Sequence, residues 1–225
     1  MRVTFGASTT QCNGSADDAD PATPPTTYPT AASANDCKDG PSYAKSIPPG
    51  RVVGGGGHHI IHAEAGALLG PNPAGGALPN AASNNKVIEP FAVTYGLIDT
   101  IRSWFGWTAP FSMKLELAIT AKNRSGPGEV RAIAWLKDAA GRLLAEIQKT
   151  YEVKINPTDP TLVDVKPFGG AVTTIPQGGT FSDVLSSPTA GLRPGNYSLQ
   201  SELNVTDKAD GLVELAAEAF TTLNY

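Results

Sequence analysis

Cysteine is scarce in this chain. Cys12 and Cys37 are the only two in 225 residues, and the polar stretch that holds them has no histidine, so a four-ligand zinc site of the thiolate kind is excluded there. A Cys12–Cys37 disulfide would restrain a loose segment by about 3 kcal/mol on a loop-entropy argument. The other reading is two unpaired thiols in a reducing compartment. Positive charge is also sparse: the formal net charge is -4 and Lys and Arg form no run, which excludes a nucleic-acid groove or a basic membrane-binding surface. Apolar runs extend only a handful of residues, far short of the roughly 20 that span a bilayer. Met1 to Ser8 passes straight into polar sequence without the apolar centre of a secretory signal. The expectation is synthesis in a cytoplasm and delivery by assembly, the alternative being a leader already removed.

Gly and Pro are plentiful, at 24 and 19 residues, and gather in the first half. Residues 1–50 mix Thr, Ala, Ser, Pro, Asn and Asp, and bury too little apolar surface to offset their ordering entropy. They read as an extended polar arm that needs a neighbouring subunit. Residues 51–110 read as a Gly/Ala-rich irregular segment with at most one short strand, because the pattern has neither a 2.0 nor a 3.6 period. Val87 to Tyr95 is another short strand, and Pro90 predicts an edge or an entry position for it. Within 97–105, Leu97, Ile101, Trp104 and Phe105 share one face of a short amphipathic helix that stops at Gly106. The leading expectation is that this helix closes one end of the core. The alternative is an aromatic anchor into a partner or a membrane interface.

From residue 111 to 225 the period becomes 2. Met113, Leu115, Leu117, Ile119 and Ala121 alternate with polar neighbours, as do Tyr197, Leu199, Leu203 and Val205. Glu129 to Val153 reads as a hairpin whose turn holds Asp138 and Gly141. Apolar residues on both of its faces predict a central element. Short strands follow at Leu162–Val165, Ala171–Ile175 and Thr180–Leu185. Leu212 to Leu223 fits either a helix or a strand, and the strand is preferred because it completes a sheet. About seven strands with Gly/Pro turns give the rhythm of an antiparallel sandwich.

The series Leu115–Asn123, Glu129–Asp138, Gly141–Val153 and Leu192–Leu199 resembles bacterial and phage immunoglobulin-like domains: a strand ending in Asn, an Asp-x-x-Gly hairpin and a Pro-Gly-x-Tyr opening to a strand. The resemblance implies an all-β, immunoglobulin-like antiparallel sandwich over 111–225. Such domains occur in virion decoration and fibre proteins of tailed phages. The antibody-type cysteine pair is absent from the matching strands.

The chemical candidate is His58-His59-Ile60-Ile61-His62-Ala63-Glu64. Imidazoles with a carboxylate suit zinc or another first-row divalent ion. On a helix His58 and His62 would share a face; on a strand His58, Ile60, His62 and Glu64 would, with His59 opposite. The competing reading is loop histidines that pack or touch a neighbour. Arg51-Val52-Val53-Gly54-Gly55 is similar to a trypsin-type activation junction but has no nucleophile segment to accompany it. Gly54 to Gly57 lacks the Lys-Ser/Thr of a phosphate loop. Asn13, Asn123, Asn196 and Asn204 start Asn-x-Ser/Thr triplets, read as accidents of composition.

These readings lead to a non-enzymatic structural protein without a resident cofactor: a tailed-phage capsid decoration, cement or fibre-base subunit. Its partners would be copies of itself and other structural subunits, in a homo-oligomer or lattice within the virion. The alternatives are a secreted or surface bacterial immunoglobulin-like binding module, extracellular or periplasmic, and a metal-binding protein built on His58, His59, His62 and Glu64.

Overall fold

The computed structural model describes residues 1–16, 26–32, 42–47, 58–69, 80–122, 126–208 and 213–225. For residues 12–16, 26–32, 42–47, 68–69, 80–81 and 213 it describes the backbone alone. The strands in chain order are β1 (Arg2–Phe5), β2 (Thr9–Ala16), β3 (Thr26–Ala32), β4 (Ser42–Ile47), β5 (His58–Leu69) and β6 (Asn80–Thr94). After the helix α1 (Leu97–Trp104) come β7 (Ala109–Lys122), β8 (Gly128–Asp138), β9 (Leu143–Ile155), β10 (Leu162–Pro167) and β11 (Thr173–Pro176). The last four are β12 (Thr180–Ser186), β13 (Ala190–Leu192), β14 (Gly195–Lys208) and β15 (Val213–Asn224).

They form two antiparallel sheets, an all-β sandwich. The larger runs β11-β10-β9-β8-β14-β6-β2-β3, with β1 also on β6. The smaller runs β12-β7-β15-β5-β4, with β13 also on β7. Period-2 alternation is what sends one side of each strand inward. On β7, Phe111, Met113, Leu115, Leu117, Ile119 and Ala121 are buried, and on β8 Val130, Ala132, Ala134 and Leu136 meet them from the other sheet.

The hairpin is central, as the sequence predicts: β8 lies between β9 and β14. Its turn is set by Gly141, at φ 79°, a left-handed conformation that a Cβ disfavours. The Asp138 carboxylate accepts from the backbone N–H of Ala140 (3.0 Å) and Arg142 (2.9 Å), and from Arg142 Nε (3.0 Å). A β-bulge at Leu136/Lys137 adjusts the register before the turn. On the outer face Ile133 is buried, while Trp135 is half-buried with the ammonium groups of Lys137 and Lys86 over its ring. The β15 segment is a strand, paired on both sides with β7 and β5.

Three expectations are corrected. The segment 51–110 is not irregular over 58–69 and 80–94. β5 is a full partner of β15, and β6 pairs with β14 from Asn80 to Val93. Their Ala and Gly content hides the period, because small residues can face a core as readily as solvent. Ile61, Ala63, Ala65 and Ala67 alternate inward on β5 nonetheless. β6 is also not an edge. Pro90 sits where the partner of β6 changes from β2, ending at Ile88, to β1, beginning at Phe91, so the ladder is interrupted there in any case. Gly6 crosses that gap, donating its N–H to Pro90 O at 2.8 Å. A Cβ on Gly6 would meet the Pro90 ring at 3.0 Å.

Third, the polar arm does not rely on a neighbouring subunit for its described parts. β2 pairs with β6, and β4 with β5, within the same chain. Long strands with free edges recruit a sequence that has no core of its own. Cys12 lies on β2 opposite Asn85, while Cys37 falls outside the described residues, as do Gly54 to Gly57 and Asn123.

Candidate functional site

Two features carry candidate sites: the helix α1, outside the packed sandwich, and the histidine strand β5, inside the smaller sheet.

α1 is too short to hold itself by propensity, and no residue of it is buried. Its polar side is tied down. Asp99 pairs with the Met1 ammonium and lies 3.6 Å from Arg102 Nη1, and Arg102 sits over the Trp107 ring, which packs on Tyr95. Tyr95 O–H donates to Leu192 O and its oxygen accepts from Ala109 N, anchoring that end of the sandwich. The apolar side faces outward. Leu97 is 78% exposed, Trp104 74% and Phe105 86%, with Ile98 at 67% and Ile101 at 41%. The helix therefore does not close the core, against the leading expectation. The amphipathic pattern holds, but its apolar face points away from the sheets. Leu97, Ile101, Trp104 and Phe105, the predicted interface set, are joined by Ile98, which the one-face reading passed over.

β5 divides its histidines by alternation. His59 points inward: its Nε2 lies 2.7 Å from Glu89 Oε2 on β6, both side chains are buried, and its ring stacks on Phe5 at 3.6 Å. His58, Ile60, His62 and Glu64 share the outer face. His62 Nε2 is 3.0 Å from Glu64 Oε1, and its ring stacks flat on Phe220, centroids 4.2 Å apart. β15 lies in register with Phe220 opposite His62 and Glu218 opposite Glu64. His62, Glu64 and Glu218 each bring a ligand atom within 4.8 Å of the others. Of the four predicted ligands, two thus come together, His59 is diverted to Glu89, and His58 faces Asn224 at the strand end. Glu218 was legible only as an outward position on the β15 strand; its closeness to Glu64 is a fact of strand pairing.

A cleft of about 420 Å³ opens at one end of the sandwich, between the Asp138 turn and the Arg193–Tyr197 loop. Its polar groups hold these loops. Tyr197 O–H donates to Arg193 O (2.7 Å) and accepts from Arg193 N (3.2 Å), a tyrosine corner that fixes the start of β14. Burial raises the Tyr197 pKa.

No protein family and no curated protein sequence matches the chain. Among solved structures, it aligns with carbohydrate-binding modules from the beta-sandwich superfamily at 8% identity and a TM-score of 0.27, covering 97% of this chain and 94% of that one. It also aligns with a chain of infectious bursal disease virus strain Gx at 9% identity and a TM-score of 0.22 (96% and 59% covered). For that virus's VP2 subviral particle the values are 8% and 0.23 (99% and 63% covered). The chain thus spans about three fifths of the viral chains it aligns with. Likenesses this loose carry no argument about role. Among the described residues no helix is long and apolar enough to cross a membrane.

Proposed function

We propose that this protein is a non-enzymatic structural subunit that works by assembly, with α1 as the surface through which copies of the chain meet. The observation that carries the reading is the outward apolar face of α1, where five large hydrophobic side chains lie together in solvent. Clustered exposed aromatics of this kind mark contact surfaces. The charges beside them are engaged with one another, through Met1–Asp99–Arg102 and the Trp107 ring. What remains for a partner is apolar, and a second copy offers the same apolar surface across a two-fold axis. In its finer form, drawn from the resemblance of the 115–199 series to phage immunoglobulin-like domains, the subunit is a tailed-phage virion protein: a capsid decoration, cement or fibre-base component.

Sedimentation velocity of the full chain tests the contact. Association that rises with concentration, abolished by Trp104→Glu with Phe105→Glu at an unchanged Tm, is the expected result. A wild-type chain that stays monomeric at every concentration, or a double variant that associates equally well, overturns it. Electron microscopy of the native source tests the virion form, which requires the protein to repeat on a particle lattice.

A further inference from the structure

We propose that His62, Glu64 and Glu218 form a binding site for one first-row divalent cation, best matched by zinc, on the outer face of the smaller sheet.

The ligand set comes from strand pairing. His62 and Glu64 are two apart on β5 and so share a face, and Glu218 lies directly across from Glu64 on β15. One imidazole nitrogen and two carboxylate oxygens are a donor set for zinc or manganese; calcium and magnesium prefer oxygen alone. Ligand atoms within 4.8 Å of one another need to close to about 3.3 Å, the spacing that bonds of roughly 2.0 Å make at a tetrahedral centre. Side-chain rotation covers that difference without moving the strands. The Phe220 ring lies flat against His62 and obstructs turning of the imidazole about its Cβ–Cγ bond, while Nε2 lies 3.0 Å from Glu64 Oε1.

A second observation points to a cation. Two carboxylates directly opposite on neighbouring strands repel each other. Of the three ligands, the side chains of His62 and Glu64 are only 7% and 9% exposed although they lie on an outward face. The low exposure of Glu64 strengthens the attraction of its carboxylate for a positive charge beside it. Glu218 is exposed, which leaves one side open for the ion to enter and for water to complete its coordination. Bound there, the ion would join β5 to β15 by a link independent of the ladder hydrogen bonds. Lys45 occupies the register position opposite His62 on β4, and its substitution therefore belongs among the variants tested.

The test is calorimetric titration of the full chain with ZnCl2, repeated on Glu218→Gln, His62→Gln, His58→Gln and Lys45→Met, with Co2+ absorption as a second readout of coordination. One equivalent of zinc should bind the wild type and raise its Tm in proportion to the logarithm of free zinc. Glu218→Gln, an exposed change that leaves the fold intact by circular dichroism, should weaken binding by on the order of 10–100-fold or more. His62→Gln should do the same and remove the Co2+ spectrum, and His58→Gln should leave both unchanged. Excess Mg2+ should not displace the zinc. No stoichiometric zinc in the wild type overturns the proposal, as does binding that survives Glu218→Gln or is lost with His58→Gln. Zinc uptake by Lys45→Met alone, with none by the wild type, would likewise overturn it.

Discussion

His59 on β5 and Glu89 on β6 join the two sheets through the core, Nε2 to Oε2 at 2.7 Å, with the Phe5 ring stacked on the imidazole. This contact has company. Thr221 Oγ1 donates to Ser201 Oγ at 3.0 Å, Asn85 Nδ2 donates to Glu64 O, and Tyr151 O–H donates to Asp183 Oδ2 at 2.6 Å. Each crosses from one sheet to the other. An apolar core resists separation but is indifferent to small slides, whereas these contacts prescribe which strand faces which. Removing one member of the His59–Glu89 pair strands the other in a dry environment. Glu89→Leu or His59→Leu is expected to cost about 3–5 kcal/mol, and the double change to Leu at both positions much less than the sum. Urea denaturation of the four species measures it, and additive costs would show that the pair does not act as a unit.

Tyr151 predicts behaviour in alkali. Burial first, and then the hydrogen bond to Asp183, raises the pKa of its phenol far above the ordinary value of 10. A raised folded pKa means a stability contribution fully present below pH 10 and lost as the pH climbs above it. Stability should therefore fall as the pH rises beyond 10, and the Tyr151 contribution to phenolate absorbance should appear only on unfolding. In Tyr151→Phe the alkaline decline should be shallower. A Tyr151 that ionises reversibly in the folded protein near pH 10 would contradict this.

Acid acts on a different set of residues. Asp164 is held below its ordinary pKa by hydrogen bonds from Asn156 Nδ2 (2.9 Å) and Thr174 Oγ1 (2.7 Å), which tie the β9–β10 loop to β11. Asp138 is held low chiefly by the Arg142 N–H, and Asp159 by Thr161. A depressed folded pKa gives stability that is complete above about pH 4 and drains as the pH falls below it. The midpoint of urea unfolding should drop between pH 4 and pH 2, with a smaller drop in Asp164→Asn. An identical drop in that variant would remove Asp164 from the account.

The turn at Gly141 gives a test of backbone origin. Its φ of 79° costs an L-residue roughly 1–2 kcal/mol, and a Cβ there meets nothing within 4 Å. Gly141→Val should thus lower stability by about that amount through conformation alone. Gly141→Asn should cost less, since Asn tolerates the left-handed region. Thermal unfolding ranks the two, and equal Tm values for wild type and Gly141→Val would refute the assignment.

The hairpin and β7, β14 and β15 were legible because large apolar residues alternate there, and the periodicity of 2 survives any tertiary context. Asp138 and Gly141 announced their turn for the same local reason. β5 and β6 were not legible in this way. Their inward positions are Ala, Ser, Asn, His and Glu as often as Val or Phe, so burial cannot be inferred from residue type when the facing sheet supplies the matching polar group. Glu89 looks like a surface residue until His59 is placed above it. The amphipathic pattern specifies the α1 helix but not a lid on the core, since a hydrophobic stripe says that a surface seeks contact but not where the contact is.

The sequence by itself determined the local matters in this protein: which stretches extend, where they turn, which side chains on a strand share a face, and that α1 has an apolar stripe. These follow from backbone sterics and side-chain alternation within a few residues. The tertiary structure alone decided what depends on pairing between distant strands. It placed Glu218 beside Glu64 across 154 positions of chain, turned His59 to Glu89, enlisted the arm into the sheets and left Trp104 and Phe105 in solvent. Strand order and register are set by the summed fit of two whole sheets, a long-range quantity that no window of sequence contains.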